Sequence, residues 1–371
     1  MTLVPSVNVN ETDQAGYRGG SVSSMAISPT GVIGSIGNFT SYRGLGKPGM
    51  FFHAPDFSPA AGYNDYADNV ALDSMDYLTA LRDGSFLFTD YTGGIGVNSV
   101  WRIMPDGTRT QLNNATWGSF IGVFKLLQHS SDDNAAYAAL RVNTSGTYKI
   151  VKFDINTGNA DTSFSSIRTG SGAAAYLDMI FTAAGKLLVA QQTFRPRELD
   201  PATGAVLATY TEVPLSVPSK FARQSDGKVI LGGYNMGISK DGKTWHYLAR
   251  LNADGTVDSS FFEHKTSRTA SAASTAAGYV SDVVVNDRDE IYISGLFTHL
   301  TDAEIAIGGI AKLSPDGVVD LDFVKNSHGA GNQGSGGVGI ADIEIQADGK
   351  VVMAGGFDGY NNLYHAGLMR I

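Results

Sequence analysis

The 371-residue chain contains no cysteine. That excludes disulfides, thiolate metal sites and a cysteine nucleophile, and it leaves the fold indifferent to redox compartment. Charge is sparse too. Asp, Glu, Lys and Arg make up 17% of residues, below the usual quarter, so the surface is drawn largely from Ser, Thr, Asn, Gly and Tyr. The 27 basic residues fall short of the 36 acidic ones, giving a net charge of −9. No Lys/Arg stripe is present, which argues against nucleic acid or anionic lipid as a partner. No apolar run approaches the length of a membrane span, so no membrane insertion is expected. The opening segment lacks a basic stretch followed by an apolar one, so no secretory signal is expected. Asn-x-Ser/Thr sequons at Asn10, Asn38, Asn114 and Asn143 read, in that setting, as chance in an Asn/Thr-rich chain.

Chemistry-bearing constellations are equally scarce. The histidines (His53, His129, His246, His264, His299, His328 and His365) are scattered, and none sits in an HxH or HExxH arrangement; no metal site is expected. Asp287-Arg288-Asp289 lacks the alternating oxygen ligands and distal Glu of a calcium loop and reads as a turn. Gly329-Ala330-Gly331-Asn332-Gln333-Gly334 matches GxGxxG formally, but no strand-then-helix context surrounds it, so no dinucleotide cofactor is expected. A sugar-cleaving pair would need two converging carboxylates. The acids not explained as turns, Asp65, Asp68, Asp73 and Asp76, share one irregular stretch, and nothing in the sequence directs two of them together.

What the chain does have is an internal repeat. Residues 221–261 read FARQSDGKVILGGYNMG and then WHYLARLNADGTVDSSF; residues 280–323 and 340–371 restate that grammar. Each copy opens with a strand such as Ser281-Asp282-Val283-Val284-Val285. A turn follows (Asp226-Gly227, Asp287-Arg288-Asp289 or Asp348-Gly349), then a second strand ending in Gly and an aromatic. A third strand, a second turn (Asp254-Gly255; Pro315-Asp316-Gly317) and a short fourth strand, Asp258–Phe261 or Asp320–Phe323, complete the unit. Asp226, Asp287 and Asp348 are spaced 61 positions apart. Period-two alternation between Asp-Gly turns predicts half-buried antiparallel hairpins. Weaker copies upstream keep the punctuation, giving units at 22–57, 77–112, 123–164, 176–210, 218–261, 280–323 and 340–371. The expected fold is all-β: one seven-bladed β-propeller of four-stranded antiparallel blades over residues 1–371. The last unit is one strand short, and residues 1–10 are expected to pair there and close the ring, hiding a sheet edge.

The pattern DGKVILGGYN…LARLNADGTVDSSF resembles the delta-60 repeat family of bacteria and their phages, most clearly over 221–261, 280–323 and 340–357. The resemblance implies a β-propeller scaffold and no catalytic residues, since the motif positions are turns and packing sites.

Four insertions exceed turn length: 40–76, 113–122, 262–279 and 324–339. Long loops on a rigid scaffold commonly carry binding. Tyr42, Tyr63 and Tyr66 in the first, and Trp117 and Phe120 in the second, are the candidate contacts for a ligand or partner; packing between blades is the competing reading, favoured for Phe51, Phe52, Phe57 and Phe120. The function expected is a non-enzymatic virion component. It would be a tail-tip or tail-fibre propeller made in the host cytoplasm, and its partners would be other tail proteins or a host-surface glycan or protein. A bacterial surface carbohydrate-binding module and a polysaccharide depolymerase are the alternatives.

Overall fold

The computed structural model describes residues 17–18, 21–39, 41–42, 48–65, 77–91, 98–143, 147–169, 176–191, 194–214, 217–234, 236–263, 266–267, 279–297, 299–300, 305–306, 309–325, 330–331, 339–356, 359–360, 363–364 and 367–371. Their regular structure is almost entirely antiparallel strand, and the one α-helix among them is Leu321–Lys325. Seven sheets among the described residues follow one plan, first strand to second to third. Their first strands are Val22–Ile27, Leu78–Ala80, Gly122–Gln128, Tyr176–Phe181, Val217–Arg223, Tyr279–Val285 and Ile340–Ile345; the sheets are called first to seventh in that order.

The Asp-Gly punctuation becomes turn geometry. In the fifth sheet the Gly227 N–H donates to the Gln224 carbonyl at 3.0 Å, and Asp226 Oδ1 accepts the Lys228 N–H at 3.0 Å. Gly227 takes a φ of +88°, which only glycine adopts without steric cost. The turn at Gln346–Lys350 in the seventh sheet repeats this with Gly349 at +82°.

Two features differ from the sequence expectation. The second strands do not alternate: Ile33–Gly37, Leu187–Gln191 and Val351–Gly355 are buried at every position. A strand covered on both faces needs apolar side chains on both. A single core accordingly runs through the fourth, fifth and sixth sheets, where Leu188, Leu231 and Ile293 are all fully or almost fully buried.

The fourth strand is also not uniform. The second, third and fourth sheets have one, at Arg109–Gln111, Ser166–Thr169 and Val206–Thr209. In the first, fifth and sixth it shrinks to one bridging residue, with His53 opposite Pro59, Leu251 opposite Val257 and Leu313 opposite Val319. In the fifth and sixth sheets the aspartate that follows bends the chain away. Asp258 Oδ1 accepts the Ser260 N–H at 3.0 Å. Asp320 Oδ1 accepts the amides of Asp322 and Phe323 and starts helix Leu321–Lys325. A side-chain acceptor that takes these amides competes directly with a strand ladder.

The chain divides into two compact units. One comprises Met1–Gly172, Glu344–Gly356 and His365–Ile371; the other comprises Ala173–Ile343 and Phe357–Tyr364. Within the first unit the seventh sheet packs on the first, with Val352, Ala354 and Leu368 against Val22, Met25 and Phe51. The expected closing strand at residues 1–10 lies outside the described residues.

Candidate functional site

Three of the five sequence-predicted aromatics, Trp117, Phe120 and Tyr63, are buried at contacts between sheets. Trp117 closes a short 3-10 turn, Ala115–Trp117, capped by Asn114, whose side chain accepts the Thr116 N–H. Its indole is 1% exposed and lies 4.6 Å from the Phe153 ring. Indole Nε1 donates to the Gly158 carbonyl at 2.7 Å, so this residue of the segment between the second and third sheets grips a third-sheet turn. Phe120 is buried beside it, with ring centroids 6.0 Å apart. Tyr63 does the same between the first and second sheets: its hydroxyl donates to the Gly84 carbonyl at 2.6 Å, and its ring stacks on Phe52 at 5.2 Å. The faces of these three rings are covered by protein. Tyr42 pairs with Tyr17 in a two-stranded ribbon. Tyr66 lies outside the described residues, as do Asp68, Asp73 and Asp76, while Asp65 ends the 3-10 turn Tyr63–Asp65. Phe51 and Phe52, read as part of an insertion, belong to the third strand of the first sheet, Met50–His53.

The same joint recurs at two further turns. Tyr210 lies over Gly255, and Phe261 over Gly317, each one sheet further on. A Cβ on Gly317 would sit 2.7 Å from the Phe261 ring, at a φ of +90°. Gly317→Ala therefore meets both a steric and a conformational penalty. A loss of about 2 kcal/mol is expected, read as a lower urea midpoint at unchanged slope.

Arginines on the third strands form a second set of joints. Arg250 is 2% exposed. It donates to Asp258 at 2.8 Å, to the Pro315 carbonyl at 2.6 Å and to Asp316 at 3.1 Å. Gln224 reaches the same Pro315 carbonyl at 2.9 Å. In the first unit Arg370 and Gln346, from the seventh sheet, converge on the Pro55 carbonyl at 2.7 and 3.2 Å. Arg102 links the second sheet to the third through the Ile155 carbonyl and Asn156. Asp258 is buried, which works against its charge. Hydrogen bonds from Ser260 and the cations Lys228 and Arg250 outweigh that and hold its carboxyl down at about 2.

A charge cluster lies on the first strands of the second unit. A one-residue bulge precedes Asp178, Lys220 and Asp282 on their strands, and Asp342 stands on the next first strand. Lys220 Nζ is 3.2 Å from Asp282 Oδ1. Burial opposes the ammonium charge, but the carboxylates of Asp282, Asp342 and Asp178 override it and raise the lysine above its usual range. The same carboxylates tie sheets together: Asp178 accepts the Phe221 N–H at 2.7 Å, and Asp282 accepts that of Ile343 at 2.9 Å. The signal for this cluster was a charged residue recurring in successive first strands, at Asp178, Lys220, Asp282 and Asp342.

Turn carboxylates are occupied as well. Hydrogen bonds from Thr108 hold the Asp106 carboxyl below its ordinary value, and those from Thr203 and Ala202 do the same for Asp200. Among the described residues no three His, Asp or Glu side chains converge as metal ligands. Of the GxGxxG stretch, Ala330–Gly331 is described, as a strand pairing with Gly359–Tyr360. Large apolar side chains that remain exposed among the described residues, including Val206 at 52%, Leu207 at 47%, Tyr234 at 49% and Val318 at 51%, all lie in the second unit.

Comparison with known proteins agrees with this architecture. A family model described as a β-propeller domain of unknown function, DUF5122, matches residues 224–261 and 346–371. No match was found among curated proteins. The chain is similar to the WD40 β-propeller domain of Doa1, at 11% identity and a TM-score of 0.55, covering 92% of this chain and 95% of that one. It is similar to the Dos1 propeller at 10% identity and a TM-score of 0.53, covering 92% and 80% of the two chains. It is also similar to the Cps50 (Swd1) propeller of Myceliophteria thermophila, at 10% identity and a TM-score of 0.52, covering 91% and 94%. At such identities the likeness is one of fold, and that fold is the β-propeller.

Proposed function

We propose that the chain is a non-enzymatic β-propeller scaffold of the delta-60 kind that docks other proteins, and that its setting is a phage tail tip or fibre. Its seven sheets are then the blades of one ring over residues 1–371. Support for the ring is the repeated grip already described: Gln346 and Arg370 hold the Pro55 carbonyl as Gln224 and Arg250 hold that of Pro315.

The observation that carries the docking role is the contrast between committed acids and uncommitted apolar surface. Carboxylates tied down in turns make poor general acids, because their pKa values move away from neutrality. Among the described residues the large apolar side chains left exposed all belong to one unit, and exposed apolar surface is what a protein partner buries. A low-charge, cysteine-free chain suits a particle assembled in a cytosol and used outside it.

Quantitative mass spectrometry of purified particles tests the reading. The chain is expected at a fixed ratio to tail proteins, and the double variant Leu207→Asp/Val318→Asp is expected to fold but to be lost from particles. Recovery of the wild-type chain only as a free cytosolic monomer contradicts the tail assignment.

A further inference from the structure

Three turns are tied by one side-chain device. Asp154 Oδ1 accepts the N–H groups two and three residues on, from Asn156 at 3.0 Å and Thr157 at 2.7 Å. Asp200 binds Ala202 and Thr203 at 2.8 and 2.9 Å. Asp320 binds Asp322 and Phe323 at 3.1 and 3.0 Å. A carboxylate keeps this role down to about pH 4.

The turn joining Gly122–Gln128 to Ala135–Arg141 in the third sheet has the same geometry with a different residue. His129 Nδ1 accepts the N–H groups of Ser131 and Asp132, both at 3.1 Å. Its ring stacks on Tyr137 at 5.9 Å. Imidazole accepts at Nδ1 only while that nitrogen is unprotonated. The position filled by a carboxylate elsewhere is thus filled here by the one side chain that ordinarily titrates near neutrality.

This turn is half of a joint. Gln128 Oε1 accepts the Arg82 N–H at 2.9 Å, and Gln128 Nε2 donates to the Asp133 carbonyl at 3.0 Å. Arg82 Nε pairs with the Asp133 carboxylate. Arg82 belongs to the second sheet's first turn, so residues 128–133 carry part of the contact between the second and third sheets.

We propose that His129 is an acid-operated clasp: a proton on Nδ1 displaces the Ser131 and Asp132 amides and loosens the joint between residues 128–133 and Arg82. The charged groups facing the ring set its operating range. Burial, Lys152 and Arg82 disfavour the imidazolium and Asp132 favours it, with a net lowering of the pKa. Lys152 is itself 3.1 Å from Asp161, and Asp133 is engaged with Arg82. Because the held ring has the lower pKa, the clasp is fully effective above the value of a released histidine and fails as pH falls below it. Between the two values the opening constant grows about tenfold per pH unit.

Amide exchange measured by NMR on the full chain between pH 7.5 and 5, corrected for intrinsic rates, reads this directly. The Ser131 and Asp132 amides are expected to lose protection in step with titration of the His129 ring protons. His129→Asn restores an acceptor that does not titrate, and its protection is expected to stay level across the range. The proposal is overturned if the ring titrates while both amides keep their protection, if the ring remains neutral to pH 5, or if His129→Asn shows the wild-type pH profile.

Discussion

Replacing Arg250 by Ala is expected to cost about 3–5 kcal/mol, the range for removing one partner of a buried ion pair. The loss has several parts. Among the described residues Asp258 keeps only Lys228, at 3.2 Å, as a cation, the Pro315 carbonyl keeps only Gln224, and Asp316 loses its ion pair with Arg250. The guanidinium also lies over the Phe261 ring at 5.0 Å, so packing goes with the charge. Arg250→Lys is expected to recover little, because a single ammonium cannot span Asp258 and the next sheet's turn at once. Arg288→Ala is the control. Its side chain is 70% exposed in its pair with Glu290, and solvent screening leaves such pairs contributing little. Urea unfolding of the three variants checks the order. Equal midpoints for Arg250→Ala and Arg288→Ala would remove Arg250 as a joint.

Lys220→Met is expected to be similarly damaging at neutral pH and to reverse the acid response of the second unit. With the ammonium gone, Asp178, Asp282 and Asp342 lose the cation they share. Like charges at close range favour uptake of a proton. In the variant, folding therefore raises a carboxyl pKa above its unfolded value, so stability is gained as pH falls toward 5 and is lost as pH rises to 7. The wild type runs the other way at lower pH. Asp258, held down at about 2, contributes about 2 kcal/mol above pH 4, which disappears as pH falls through its folded value. Thermal melts from pH 2 to 8 separate the two behaviours. A variant whose melting temperature tracks the wild type across that range would show that the lysine is not the counter-charge.

The repeat, the strand order and the hairpin turns were legible because each rests on local chemistry: an aspartate that binds amides two residues on, followed by a glycine at positive φ, as at Asp226-Gly227. What was illegible depends on neighbours far along the chain. Nothing local to Trp117 announces that its indole will meet the Gly158 carbonyl, so an inserted loop containing it reads equally as a binding surface. The helix Leu321–Lys325 reads as a strand until the Asp320 carboxylate is seen taking two of its amides. The Lys220 cluster was present as a polar residue in each of four consecutive first strands. Its meaning required knowing that those strands lie side by side.

Small-angle scattering from the intact chain tests the ring most directly. A closed single domain of this length predicts a radius of gyration of about 21 Å with a bell-shaped Kratky profile. A value well above ~25 Å, or a profile with two lobes, would mean that the sheets do not share one ring and that the grip of Arg370 on the Pro55 turn does not join its ends.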